Sequence, residues 1–294
     1  MNLPNGTIET KYLEVDNVTL AYKEANPQNE ITIFFIHGNS CSSTIWEPQL
    51  KDELFSNYRL VAFDLPAHGK SSAHPEDKYG VQDLGNLLAK AVKQLSAHSP
   101  YFLAALSMGA NILTEMLNYQ VLPLGIILIG PTIIGDEFHM GNIGLPGLDP
   151  TVLFTDEADD QQVVAYYSGV LLDPDEKTLT YLLDEYKSVK LPFRSVLIGE
   201  AIKGNVSNEL QLLRNFAKPV LIIFGKDETV VNPNYLDHAD VPKWSGKVQF
   251  IEKASHLVSL EQPEELNNVI SEYANERTTE YLFSLPGRSV PTSS

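Results

Sequence analysis

Cysteine is almost missing from this chain: Cys41 is the single thiol among 294 residues. An intrachain disulfide is excluded, and a reducing compartment suits the sequence. Basic residues are scarce as well. Lys and Arg number 21 against 38 Asp and Glu, a formal charge of −17. Such a surface repels nucleic acid and anionic lipid, so neither is expected as a partner. No apolar run approaches the ~18 residues that span a bilayer, and the longest, VLPLGIILIGPTII, is broken by proline and glycine. The opening residues MNLPNGTIETKYLEV lack a basic n-region and an apolar h-region. A signal peptide is therefore not expected, and a cytoplasmic protein is. Internal repeats and low-complexity linkers are also lacking.

What is present is apolar material for a sizeable core, 43% of the residues, in one large domain or a domain with an insertion. TIETKYLEV and VTLAYKEA alternate about Asp16-Asn17 and predict a β-hairpin. ITIFFI, YRLVAFD, YFLAAL and LGIILIG read as strands, separated by the helical patterns IWEPQLKDELF, VQDLGNLLAKAVKQL and MGANILTEMLNY. Near-continuous apolar strands alternating with helices predict an α/β fold whose mostly parallel sheet is covered on both faces. The alternation stops after Pro131. Residues 132–217 show helical patterns only, and strands resume with PVLIIFG and KVQFIEKA before a last helix near PEELNNVISEYAN. The expected organisation is a core of residues 1–131 and 218–280, a helical cap of residues 132–217, and a flexible tail of residues 281–294.

Sites in such sheets lie at the carboxyl ends of the strands. Those ends carry His37-Gly38-Asn39-Ser40, the stretch Asp64-Leu65-Pro66-Ala67-His68-Gly69-Lys70-Ser71, Ser107, Lys226-Asp227-Glu228 and Ser255-His256. Ser107 has two readings. It caps the helix that follows, or the joint presents its hydroxyl for chemistry. Cys41 is a rival nucleophile, but no sharp small-residue turn surrounds it.

ALSMG, with Ala105 in place of the first glycine, resembles the G-x-S-x-G nucleophile elbow of the α/β-hydrolases. The chain order serine, acid, histidine is also similar to that family. The resemblance implies an α/β-hydrolase fold with an inserted helical cap, Ser107 as nucleophile and His256 as general base. The acid falls on Glu228, with Asp227 one residue away as the alternative. The oxyanion hole falls on the backbone N–H groups of Asn39 and Met108. DLPAHGKSS matches a family loop that is structural. More narrowly, HGNSCSSTIWEPQL, VAFDLPAHGKSS, the Gly225-Lys226-Asp227-Glu228 loop and VVAYYSG together resemble the α/β-hydrolase-fold N-acyl-homoserine lactonases, bacterial enzymes that open the ring of quorum-sensing signals. That likeness implies a small-molecule lactone substrate, hydrolysis through an acyl-enzyme, no cofactor and no metal. The metal-dependent H-x-H-x-D-H signature is lacking here. It also implies contact between Tyr166 and the bound signal, although VVAYYSGVLL would bury two tyrosines against a core in any case. Two other readings stand beside it: a general carboxylesterase of small acyl esters, and a signal-binding receptor on a hydrolase fold. The sequence sets no oligomeric state, chain-length preference or stereoselectivity.

Overall fold

The structure, a computed structural model, describes residues 7–136 and 138–286. It begins with β1 (Glu9–Val15) and β2 (Val18–Ala25), paired antiparallel so that Val15 faces Val18. Asp16 and Asn17 between them take φ of 49° and 64°. Two successive left-handed residues make the tight turn whose twist matches the strands, and Asn and Asp tolerate that region best. Then follow β3 (Thr32–Ile36), α1 (Glu47–Lys51), β4 (Arg59–Phe63), α2 (Val81–Ser96), β5 (Tyr101–Leu106), α3 (Met108–Met116) and β6 (Gly125–Ile129). The stretch IWEPQLKDELF is not one helix. Two 3₁₀ turns flank the short α1, because Asp52 turns extended and spends its carboxylate on the N–H of Leu54.

Between β6 and the next strand the chain forms α4 (Met140–Ile143), a 3₁₀ turn over Pro150–Phe154, α5 (Asp160–Val170), α6 (Glu176–Ser188), α7 (Phe193–Ile202) and α8 (Glu209–Asn215). This insertion holds no strand among its described residues. The chain closes with β7 (Val220–Gly225), β8 (Gln249–Ile251), α9 (Val258–Glu261) and α10 (Pro263–Ser284). The strand expected over KVQFIEKA is only three residues long, since Lys253 turns the chain at φ 56°. The expectation of a flexible tail over 281–294 fails at its start. Residues 281–284 belong to α10, where Tyr281 packs on the core, and residues 287–294 lie outside the described residues.

The eight strands form one sheet in the order β1-β2-β4-β3-β5-β6-β7-β8, parallel from β4 onward. Alternation within each central strand divides the core in two. Phe34, Ile36, Leu103, Ala105, Ile126 and Leu128 face α2 and α3, while Ile33, Phe35, Phe102, Ala104, Ile127 and Ile129 face α1 and α10. With both faces covered, these strands need the continuous apolar runs seen in the sequence. No helix among the described residues is long and apolar enough to cross a membrane.

Candidate active site

Ser107 occupies the single residue between β5 and α3, at φ 52° and ψ −125°. A non-glycine residue reaches that region at a cost, so the surroundings must hold it there. The N–H of Ser107 donates to Ile129 of the neighbouring strand at 2.9 Å, and its carbonyl accepts from Ala110 at 2.7 Å. The serine side chain makes no capping bond to α3, which leaves the hydroxyl free for another partner. The turn is sharp because α3 begins against the loop after β3. A Cβ at Gly109 would sit 2.6 Å from the carbonyl oxygen of His37. Ala105, in register with Ile36, is fully buried in the sheet.

The hydroxyl's partner is His256. The imidazole Nε2 lies 2.9 Å from Ser107 Oγ, and its Nδ1 lies 3.0 and 2.9 Å from the two Glu228 carboxylate oxygens. The left-handed Lys253 after β8 delivers the histidine to this place. Gly130, at the end of β6 with φ 51°, gives it room: a Cβ there would approach the ring to 3.1 Å. Glu228 is buried on the loop that leaves β7 and also accepts from the N–H of Val230 at 2.8 Å. Burial alone would raise its carboxyl. The His256 charge and the hydrogen bonds from His256, Val230 and Val231 outweigh burial and hold it below the ordinary carboxylate value. Asp227 instead is exposed, with its N–H bonded to Ala254.

Asn39 follows the loop that touches the elbow; a Cβ on the preceding Gly38 would lie 3.8 Å from Ser107 Oγ. Its amide donates to the carbonyl of Leu153 at 2.8 Å and accepts from the Ser40 hydroxyl at 2.8 Å. Met108 opens α3, so its N–H has no acceptor within the helix. Tyr166 lies in α5, buried, with its ring 5.5 Å from that of Tyr167. Burial and then the nearby Glu228 carboxylate push its phenol well up, so it is a neutral donor. It also lines a cavity of about 300 Å³ with Leu148, Val152, Gln162 and Ala165. Cys41 is buried, and burial followed by the charge of Glu185 drives its thiol far above the ordinary value. A thiol kept protonated there is a poor nucleophile.

Further residues brace this arrangement. His37 accepts the N–H of Leu65 on Nε2 at 3.0 Å and faces the carbonyl of Gly38 with Nδ1 at 2.7 Å. Burial lowers it to about 4, so it stays a neutral brace. Asp64 accepts from the N–H groups of Ser43 and Lys70 at 2.7 and 2.9 Å, tying the two polar loops together. Glu261 accepts from Ser255 at 2.8 Å and Leu172 at 2.7 Å, joining the histidine loop to the end of α5. Glu209 on α8 accepts from Asn111 on α3 at 2.7 Å. The first two stand among the strand-end residues noted in the sequence, Asp64 in the loop expected to be structural; nothing local marks Glu209 or Glu261. Among the described residues, no three His, Cys, Asp or Glu side chains converge as metal ligands.

The arrangement is a hydroxyl on a strand-to-helix joint, an imidazole within hydrogen-bond reach, and a buried carboxylate on the imidazole's far nitrogen. That is the geometry a base-activated nucleophile needs. Residues 33–269 match the alpha/beta hydrolase family, and the chain belongs to it. It is 26% identical over 278 residues to BpoC of Mycobacterium tuberculosis, named as a candidate non-heme bromoperoxidase, covering 87% of this chain and 97% of that one. It is 24% identical over 271 residues to the uncharacterized carboxylesterase nap of Bacillus subtilis, covering 86% and 82%. Among solved structures it is similar to a mutant of the N-acyl homoserine lactonase AidH complexed with N-hexanoyl homoserine lactone, with a TM-score of 0.83 and 24% identity over 92% of this chain and 99% of that one. At that identity the structural likeness shows the fold.

Proposed function

We propose that this protein is a serine hydrolase that opens the lactone ring of N-acyl-homoserine lactones. The observation that carries the hydrolase reading is the continuous line from Ser107 Oγ through His256 to Glu228, each step 3.0 Å or less. In this reading His256 takes the Ser107 proton as the oxygen attacks the lactone carbonyl. Glu228 holds the imidazole's tautomer and balances its charge. The backbone N–H groups of Asn39 and Met108 receive the oxyanion. The ring C–O bond breaks, His256 protonates the alkoxide, and the alcohol stays attached within the acyl-enzyme. Water, deprotonated by His256, then attacks the acyl carbon and releases N-acyl homoserine and free Ser107.

The lactone itself is supported by likeness to AidH over nearly the whole chain and by the chemistry of the insertion. An uncharged ring with an apolar chain suits the cavity lined by Leu148, Val152 and Tyr166, with a phenol available for one hydrogen bond. A carboxylesterase of small acyl esters is the second reading, favoured by the likeness to nap. Incubation with N-hexanoyl-homoserine lactone, followed by mass spectrometry, tests the proposal: one added water is expected, with higher kcat/KM than for p-nitrophenyl acetate. Brisk acetate turnover with no lactone opened at any chain length would replace the lactonase reading by the esterase one.

A further inference from the structure

The side chain of Arg194 leaves α7 in the insertion and ends in the core, against the loop that follows β3. It is 2% exposed. Its Nε donates to Ser40 Oγ at 3.0 Å, and another guanidinium nitrogen donates to the carbonyl of Tyr186, near the end of α6. The guanidinium lies 3.6 Å from the centroid of the Tyr186 ring, and its nearest carboxylate, Asp156, is 3.8 Å away. Burying a cation this deeply is costly unless its donors are used.

The direction of the hydrogen bonds follows from what each group can do. Arginine only donates, so Ser40 Oγ accepts from it. The single hydroxyl proton of Ser40 then goes to Asn39 Oδ1, 2.8 Å away. The Asn39 amide is thereby turned so that its Nδ2 faces Leu153 and donates to that carbonyl at 2.8 Å. Tyr186 closes the circuit, its hydroxyl donating to Val152, one residue before Leu153, at 2.8 Å. Asn39 is thus gripped at both ends of its side chain, and both grips originate in the insertion. Ser40 itself sits at φ 57°, and its N–H is spent on His68 Nε2 at 3.3 Å.

We propose that Arg194 and Ser40 are positioning residues for the oxyanion hole: through the Asn39 amide they fix the peptide whose N–H receives the oxyanion, so that the hole is aligned only when the insertion is seated. This rests on the role given to Asn39 above. Fixed dipoles stabilise developing charge without reorganising at the moment of reaction, and a loosened donor loses that advantage. The effect falls on the chemical step rather than on ground-state binding.

The test is a double-mutant cycle on the full chain, measuring kcat and KM for N-hexanoyl-homoserine lactone and p-nitrophenyl acetate, and the rate at which a fluorophosphonate labels Ser107. Ser40→Gly removes the hydroxyl at a position whose left-handed backbone glycine accepts readily. It should lower kcat and the labelling rate by about tenfold, a fraction of a whole oxyanion donor's effect, with KM within about twofold. Arg194→Met combined with Ser40→Gly should be no slower than Ser40→Gly alone, within about twofold, because the arginine acts through the hydroxyl. Near-normal kcat and labelling in Ser40→Gly, or losses that multiply in the double variant, would overturn the proposal. If Arg194→Met does not fold, Ser40→Gly alone decides. Ser107→Ala runs in parallel. If it is inactive while Ser40→Gly is normal, only the positioning role fails. If it stays active, or if the unaltered protein is neither labelled nor active, the reading of the site fails and the positioning role with it.

Discussion

His256 Nδ1 lies within 3.0 Å of both carboxylate oxygens of Glu228, while Asp227, its immediate neighbour, is exposed. One residue of register in the loop after β7 decides which acid orients the imidazole. Glu228→Gln should therefore lower kcat by roughly 10³-fold, since the amide no longer stabilises the imidazolium or enforces its tautomer. Asp227→Asn should leave kcat within about twofold. Steady-state kinetics of the two variants checks this, and the reverse ranking would contradict it.

Gly130 offers a test from the opposite side of the ring. An alanine there would carry its Cβ to 3.1 Å from the His256 imidazole and would sit at φ 51°. The ring can give way more readily than the β6 backbone. Gly130→Ala should lose at least about tenfold in kcat while the strain costs on the order of 1 kcal/mol of stability. Kinetics paired with thermal melting separates the two effects; full activity would show that the histidine tolerates displacement.

Tyr166 presents a neutral phenol from α5 in the neighbourhood of Glu228. If it donates one hydrogen bond to the bound lactone, Tyr166→Phe should lower kcat/KM about fivefold, near 1 kcal/mol. Removing one hydroxyl leaves the ring's packing in place, so the melting temperature should change little. An unchanged kcat/KM would assign this tyrosine to packing alone.

Stability should depend on pH through Glu209. This carboxylate is fully buried, accepts from Asn111 and from the N–H of Ile134, and is pushed up by burial to about 8. In the unfolded chain it ionises near the ordinary 4.5. Between those values the folded protein holds the extra proton, so this group's contribution is present at low pH and is lost as pH rises toward 8, by at most about 1.4 kcal/mol per pH unit. Glu209→Gln keeps a neutral acceptor and should flatten the melting-temperature profile between pH 5 and 8 relative to the unaltered protein. Parallel profiles would show that Glu209 does not titrate in that window.

How much could be read in advance depended on the range of the interaction. The hairpin at Asp16-Asn17 and the buried strands are written in adjacent residues, and they were legible from periodicity and turn chemistry, whereas the elbow at Ser107 was read from the family resemblance of ALSMG. Ser107, Glu228 and His256 stand at strand ends, where the parallel topology gathers loops at one edge of the sheet, but it was the family resemblance that picked these three from the other polar residues there. The Arg194–Ser40 bond joins residues 154 positions apart, and Glu209 meets Asn111 across 98. Neither leaves a local pattern, since a polar residue on an amphipathic helix looks the same whether it faces water or a partner. The short β8 and the divided helix near Asp52 were misread for a related reason: single residues, Lys253 and Asp52, redirect the chain where the apolar pattern continues.

The central claim is that the Ser107 hydroxyl is the nucleophile, and its removal tests that most directly. Turnover of N-hexanoyl-homoserine lactone by Ser107→Ala is to be measured alongside circular dichroism, which should match that of the unaltered protein. The account predicts that kcat falls by about 10⁴-fold or more. Near-normal turnover by the folded Ser107→Ala protein would contradict it.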